Sequence, residues 1–295
     1  MTRTQGHPVR RGFLLLLVLI IVLVVLNLMY PLAAEWQGTL SGEVGDILYA
    51  AGFDGFTDEW QQYDGRNSAQ ISDGVLRISV ATAPAIYSAA APIVTDFDVS
   101  VTTRSIEGEL ENEGYGIIFR LQEQVEGCNR AFVLACGLAE IPLIQIPARY
   151  FFSQQNTGAT GYHVFLISND GYYSIWTSNA DNQLQAVTVW HNSNGLINEG
   201  LGTENRLRVV GRGDEFRFYI NGEAVELCIP LAGEQPTGSA AACMGEQSFV
   251  WRNDTLQSGQ LGLVVNVQNV VGIVVEFDNF TVSSPKGELA EGEQL

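Results

Sequence analysis

The chain has 295 residues, of which 15 are basic and 33 acidic, so its formal net charge at pH 7 is −18. A surface this acidic repels phosphate backbones, which argues against nucleic acid as a partner. It is compatible with a soluble domain whose ligands are neutral molecules or cations.

The chain begins with a segment typical of a membrane anchor. Residues 13–29 are uncharged and apolar, and three arginines precede them. A span over residues 12–32 reaches the roughly 20 residues that a helix needs to cross a bilayer. The arginines predict that residues 1–11 are cytoplasmic and that the rest of the chain is extracytoplasmic. A cleaved signal peptide is the alternative, although its apolar core is usually only about 7–15 residues long.

The rest of the chain has the pattern of an all-β protein. Residues 33–48 contain turn residues without a sustained period and are predicted to be a linker. Residues 49–283 contain at least ten short segments rich in Val, Ile, Tyr, Phe and Thr, separated by turn signals. This pattern predicts one domain, a two-sheet antiparallel jelly-roll sandwich. The acidic tail, residues 284–295, is predicted to be disordered.

Four cysteines form two pairs that are close in sequence, Cys128 with Cys136 and Cys228 with Cys243. An even number of cysteines in an exported chain favours disulfides, although four cysteines allow three pairings. We favour the two local pairings, because each pair lies inside one insertion between strand-like segments. A zinc site is disfavoured, because the first pair lacks C-x-x-C spacing and a nearby histidine.

Short motifs follow one another in order along the predicted domain. They are F-D-G-F with a later Trp (53–60), Y-G-I-I-F-R (115–120), Y-H-V-F (162–165), G-Y-Y-S-I-W (171–176), N-R-L-R-V-V (205–210), F-Y-I-N-G (218–222), G-Q-L-G-L (259–263) and F-D-N-F (277–280). In this order the chain resembles the concanavalin A-like lectin/glucanase superfamily, and within it the laminin G-like and 3-keto-disaccharide hydrolase-like domains. The resemblance implies the concanavalin A-like sandwich and a glycan-related role.

The resemblance also implies a structural calcium ion, because many relatives hold one where the first and last strands meet. Hard oxygen ligands for Ca²⁺ are available from Asp54, Asp278 and Asn279. The alternative is that the two aspartates cap turns while the neighbouring phenylalanines fill the core.

Sugar rings stack on exposed aromatic side chains, while amide and carboxylate groups bind their hydroxyls. The candidate ligand-binding residues are Tyr172, Tyr173, Trp176, Trp190, His191 and Asn192. Alternate residues of a strand face opposite sides, so Tyr172 and Trp176 share one face and Tyr173 lies on the other. One of these two faces belongs to the core. We expect Trp176, like Trp60 near the start of the domain, to be buried.

Two further motifs have simple structural interpretations. Residues 107–113 contain four alternating glutamates, which on a strand would share one face, but a polar surface connection is the favoured interpretation. The E-x-D-x-x-E type of motif found in retaining glucanases of the superfamily is absent. The tripeptide at residues 212–214, Arg-Gly-Asp, is predicted to be a hairpin turn.

Three functions remain open at this stage. The first is a membrane-anchored extracytoplasmic module that binds a glycan or glycosylated surface without catalysis. The second is a glycoside hydrolase whose carboxylates the linear sequence does not reveal. The third is a partner-binding domain of a cell-envelope assembly, with its interface on the insertions at residues 123–161 and 228–254. The sequence does not predict the oligomeric state.

Overall fold

The computed structural model describes residues 39–55, 59–82, 85–108, 113–123, 159–178, 184–230, 243, 245–267 and 272–286. The chain divides into two compact units, and nearly all described residues belong to the unit formed by Leu40–Gln124 and Gln155–Leu295. The predicted membrane span, residues 12–32, lies outside the described residues, as does the cysteine pair Cys128 and Cys136. Within the described ranges, no helix has the length and apolarity to span a membrane.

Eighteen strands account for the secondary structure of the described residues. In chain order they are β1 (Thr39–Leu40), β2 (Ile47–Ala51), β3 (Ser68–Ser72), β4 (Val75–Val80), β5 (Ala85–Val94), β6 (Phe97–Glu107), β7 (Glu113–Glu123), β8 (Ala159–Ile167), β9 (Tyr172–Ser178), β10 (Leu184–Asn192), β11 (Asn205–Arg212), β12 (Glu215–Ile220), β13 (Glu223–Ala224), β14 (Leu227–Ile229), β15 (Glu246–Ser248), β16 (Trp251–Arg252), β17 (Gly259–Val267) and β18 (Ile273–Ser283). The all-β prediction is confirmed for this part of the chain.

The strands form two large antiparallel sheets and one small ribbon. The first sheet has seven strands in the order β1-β5-β17-β7-β8-β9-β10. The second has nine strands, in the order β13-β12-β11-β6-β18-β4-β3, with β16 beside β12 and β2 beside β18. Strands β14 and β15 pair only with each other. The chain crosses between the two large sheets several times, for example from β6 to β7 and from β10 to β11, as in a sandwich of the jelly-roll type.

The core lies between the two large sheets and follows the two-residue period of the strands. On β12, Phe216 and Phe218 are buried whereas the intervening Arg217 is partly exposed. Trp60 is buried as expected, with its ring centroid 4.9 Å from that of Phe280 and 5.2 Å from that of Phe53. Burying each of these large side chains contributes about 1.5–3 kcal/mol to the stability of the sandwich.

The outer face of the nine-stranded sheet carries charged side chains, several of which form ion pairs. Arg208 donates two hydrogen bonds of 2.7 Å to the Asp98 carboxylate. Glu276 accepts hydrogen bonds from Arg77 and Arg104, each 2.6 Å long. Burial alone would raise the pKa of Glu276, but the two arginines outweigh it and hold the pKa below its usual value.

The predicted disulfide between Cys228 and Cys243 is confirmed, with a Cα–Cα distance of 5.4 Å. Cys228 lies on β14, and its backbone N–H donates to the Thr188 hydroxyl of β10 at 3.2 Å. Thr188 is fully buried. The disulfide therefore closes its loop on a strand that is held against the edge of the seven-stranded sheet.

Replacing both Cys228 and Cys243 with serine should lower the free energy of unfolding by about 3 kcal/mol, because the disulfide closes a loop of 15 residues in the unfolded chain. Urea unfolding under non-reducing conditions measures the change. An unfolding midpoint equal to that of the wild-type chain would contradict the stabilising role.

Candidate functional site

Strand β9 places its aromatic residues on opposite faces of the seven-stranded sheet. Tyr173 and Ile175 point into the core, where Tyr173 is 3% exposed and its hydroxyl donates to the Glu226 carbonyl. Trp176 points to the outer face and is only partly buried. The expectation that Trp176 is the buried member of the pair is therefore wrong. The adjoining β8 strand alternates in the same register, so the inner positions of both strands supply the core.

The outer face of the seven-stranded sheet has an apolar floor, unlike the charged outer face of the other sheet. Its members are each at most 7% exposed and are Tyr87, Ala89, Ile118, Leu121, Val164, Leu166 and Val264. Three partly buried aromatic side chains pack against this floor, namely Tyr162, Trp176 and Trp190. We call these three residues the aromatic rim; they are partly exposed, whereas the floor beneath them is buried.

The position of Trp190 shows that this outer face is concave. A Cβ atom on Gly114 of β7 would lie 2.7 Å from Cη2 of Trp190 and 3.3 Å from Cδ1 of Leu166. Trp190 belongs to β10, three strands away in the sheet order, which is roughly 14 Å in a flat sheet. A tryptophan side chain does not span that distance, so the sheet curves toward the ligand-accessible side. A side chain at residue 114 would collide with the indole ring where it crosses β7, so this position requires glycine.

The six candidate residues divide between the two faces. Residues paired directly across antiparallel strands share a face, so Asn192, opposite Tyr172, lies on the outer face with the rim. Its side-chain oxygen accepts the Asn194 N–H at 2.8 Å. His191 is opposite Tyr173 on the inner side, with the two ring centroids 5.7 Å apart. Tyr173 and His191 therefore do not belong to the same site as the other four candidates.

The three candidate calcium ligands lie near one hairpin. The Asp54 carboxylate lies against Gly74 in the turn between β3 and β4, and Leu76 just beyond this turn pairs with Phe277 of β18. Asp278 follows Phe277 and accepts hydrogen bonds from the N–H and side-chain amide of Asn279, at 2.6 and 3.0 Å. No set of three or more His, Cys, Asp or Glu side chains in the described ranges is arranged to hold a metal ion. Calcium stays a prediction.

The glutamate run at residues 107–113 links the two sheets. Glu107 ends β6 in the nine-stranded sheet, and Glu113 begins β7 in the seven-stranded sheet. These two glutamates therefore do not share one strand face. Residues 109–112 lie outside the described residues.

The Arg-Gly-Asp tripeptide forms the turn between β11 and β12, as predicted. Gly213 has a φ of 56° in the left-handed region, which a glycine adopts without strain. Its N–H donates to Asp96 at 2.8 Å, and its carbonyl accepts a hydrogen bond from Arg120 at 3.1 Å. Asp96 and Arg120 therefore hold the turn through both backbone polar groups of Gly213.

Sequence analysis missed a polar cluster inside the sandwich. His163 is fully buried, and its Nδ1 lies 2.9 Å from the Thr177 hydroxyl. Its ring centroid lies 4.8 Å from that of Trp251 and 5.2 Å from that of Phe119. Burial lowers the pKa of His163 to about 3, and the charge of Arg120 adds to this effect. The inward position of residue 163 in an alternating strand is the one sequence signal of its burial.

The depressed pKa of His163 predicts that stability depends on pH. The unfolded chain protonates this histidine near pH 6.5 whereas the folded chain does so only near pH 3, so stability is lost as the pH falls below about 6.5. The loss approaches about 1.4 kcal/mol per pH unit. Urea unfolding between about pH 7 and 5 measures it, before most carboxylates titrate. The free energy of unfolding should depend less steeply on pH in the His163→Gln variant than in the wild-type chain. Equal slopes would show that His163 is not the group responsible.

Comparison with known proteins identifies the fold. No profile of a known family and no curated protein matches the sequence. Among solved structures, a Bacillus subtilis protein of unknown function with a galectin-like fold is similar at 12% identity and a TM-score of 0.50, over 82% of this chain and 97% of that chain. The described domain has a jelly-roll fold of the concanavalin A-like and galectin-like type. The resemblance stated from the sequence is thereby confirmed for the fold.

Two further solved structures are similar at lower scores. The carbohydrate binding module CBM66 from Bacillus subtilis has 11% identity and a TM-score of 0.44, over 77% of this chain and 96% of that chain. The catalytic domain of an endo-1,3-beta-glucanase (laminarinase) from Thermotoga petrophila has 8% identity and a TM-score of 0.47, over 83% of this chain and 100% of that chain. At this distance the similarity concerns the path of the chain and not the chemistry of a site.

Proposed function

We propose that this chain is a membrane-anchored extracytoplasmic module that binds a glycan or a glycosylated surface without catalysis. The observation that carries the proposal is the aromatic rim on the concave outer face of the seven-stranded sheet. Aromatic rings bind the apolar faces of sugars, and a concave surface lets several rings contact one ligand. Tyr172 and Asn192 are on the same face and offer a hydroxyl and an amide for sugar hydroxyls.

The side chains of this face favour binding over hydrolysis. The described outward positions of β7, β8 and β9 carry Gly, Ile, Leu, Val, Ser, Tyr and Trp. Glycoside hydrolysis uses two carboxyl groups placed about 5–10 Å apart on either side of the scissile bond. The rim instead offers stacking surfaces, and the Trp176 indole N–H donates to the neighbouring Ser174 hydroxyl at 3.0 Å. This hydrogen bond helps to orient the ring.

Two observations support display outside the cytoplasm. The apolar segment at residues 12–32, with arginines before it, has the charge asymmetry of an anchor whose N-terminus is cytoplasmic. The disulfide between Cys228 and Cys243 suits an oxidising compartment. An anchored domain with a ligand-accessible concave face would hold its ligand near the cell surface.

Binding of the purified full-length chain to a glycan array tests the proposal. Trp176→Ala and Trp190→Ala should each weaken binding about tenfold, because losing one stacked ring costs on the order of 1.4 kcal/mol. Tyr219→Ala is the matched control, since Tyr219 is a partly exposed aromatic residue on the other sheet, stacked under Arg208 at 4.9 Å. The control should bind like the wild-type chain.

A wild-type chain that binds no glycan would contradict this proposal and favour the partner-binding alternative. Equal losses in Trp190→Ala and Tyr219→Ala would show that the rim is not the binding surface.

We further propose that Asp54, Asp278 and Asn279 bind a structural Ca²⁺. A ligand that binds only the folded state raises the melting temperature, by about 5–10 °C at a hundredfold excess over Kd in a domain of this size. Calcium should produce this rise in the full-length chain, and a chelator should reverse it. The response should be lost in Asp278→Asn and kept in Asp254→Asn, a change in an exposed loop. A melting temperature unaffected by calcium and chelator would exclude the site.

A further inference from the structure

A buried arginine lies between the two sheets at the level of a β-bulge. Arg120 of β7 has a φ of 54°, in the left-handed region, and its side chain is fully buried. The pairing of β7 with β8 shifts register at this level, between Phe119 and Gln122. Because of the bulge, both Phe119 and Arg120 contact Phe216 on the inner side of the sheet. The bulge therefore turns the Arg120 side chain inward, into the apolar core. With regular strand alternation this position would face outward.

The guanidinium is held by aromatic rings and one carbonyl group. Its Cζ lies 5.6 Å from the ring centroids of both Phe97 and Phe216, within the range of cation–π attraction. Its Nη2 donates to the Gly213 carbonyl at 3.1 Å. Its Nε and Nη1 are buried and make no hydrogen bond with any group in the described part of the chain. No ion pair among the described residues includes Arg120.

His163 adds a third buried nitrogen near the same rings. Its centroid lies 5.6 Å from that of Phe216, which also contacts Arg120. Its Nε2 is buried without a hydrogen-bond partner among the described residues. When the Thr177 hydroxyl donates to Nδ1, the proton of the neutral ring is on Nε2, which is then a donor.

Electrostatics requires a counter-charge for this cluster. Burial lowers the pKa of Arg120 to about 10, although the negative charge of Asp96 opposes the shift, so the guanidinium is cationic at neutral pH. Asp96 forms no ion pair with the guanidinium but accepts the Gly213 N–H, while the guanidinium donates to the Gly213 carbonyl, so residue Gly213 links the two charges. A buried charge with two unpaired nitrogen donors is costly, because aromatic faces are weaker acceptors of N–H hydrogen bonds than oxygen atoms.

We propose that Arg120 and His163 bind a small monovalent anion, such as chloride, between the two sheets. A halide accepts several N–H groups at once and neutralises the guanidinium without requiring a carboxylate in the core. Gly213 is exposed and accepts the hydrogen bond from Arg120 Nη2, so one side of the guanidinium lies next to a solvent-exposed turn. The bound anion would join β7 and β8 to the turn between β11 and β12.

Thermal unfolding of the full-length chain tests this proposal. Sodium chloride replaces sodium gluconate at constant ionic strength, because gluconate is too large for a closed core site. The melting temperature should rise with chloride in the wild-type chain, by about 5–10 °C at a hundredfold excess over Kd. The rise should disappear in Arg120→Met, which has a similar volume and no charge. Arg208→Met should keep it, since Arg208 already has Asp98 as its partner.

Gluconate alone gives an independent result. In sodium gluconate without chloride, the Arg120→Met variant should be at least as stable as the wild-type chain, because the variant no longer buries an uncompensated charge. Equal melting temperatures of the wild-type chain in chloride and gluconate would overturn the proposal and show that only water serves these donors. An equal rise of the melting temperature with chloride in Arg120→Met and in the wild-type chain would also overturn the proposal.

Crystallography keeps the proposal testable if Arg120→Met does not fold. Wild-type crystals grown in bromide should show an anomalous peak within hydrogen-bond distance of Arg120 Nε or Nη1. A peak only at the protein surface would indicate an adventitious ion only and would reject the site.

Discussion

The seven-stranded sheet is apolar on both of its faces, and the rest of the structure depends on this property. On β7, Ile117 faces the core and Ile118 faces outward, and both are at most 1% exposed. The nine-stranded sheet has its apolar residues inside and paired charges such as Arg208 and Asp98 outside. Among the described residues, the outer face of the seven-stranded sheet has an apolar floor on which three aromatic side chains pack. This asymmetry is the basis for proposing the outer face of the seven-stranded sheet as the sugar-binding face.

Sequence periodicity predicts the parts of the fold in which each strand has one polar face. On β11 and β12 the alternation of charged and apolar residues is sufficient to assign the buried side. On β9 it is not, because Tyr172 and Trp176 on one face balance Tyr173 and Ile175 on the other. Which face of β9 is buried depends on the neighbouring strands and on the curvature of the sheet, and the sequence of a single strand does not contain this information. For this reason Trp176 was expected in the core and lies on the rim.

The polar cluster around Arg120 could not be predicted for a different reason. A β-bulge changes the side on which every later residue of a strand lies, and its position depends on the partner strand. Read with strict alternation, Arg120 falls on the outer face beside Ile118, as an ordinary exposed arginine would. The pairing of Cys228 with Cys243, in contrast, was predictable, because a disulfide between cysteines close in sequence can be proposed without knowledge of the fold.

Oxidative footprinting of tryptophans in the native full-length chain tests the central assignment of faces most directly. Hydroxyl radicals modify exposed indole rings, and peptide mass spectrometry locates each modification. The account predicts that Trp176 and Trp190 are oxidised much faster than Trp60 and Trp251, which are 4% and 6% exposed. Oxidation of Trp60 or Trp251 at a rate equal to that of Trp176 would contradict the account, because the aromatic rim would then not be the accessible face.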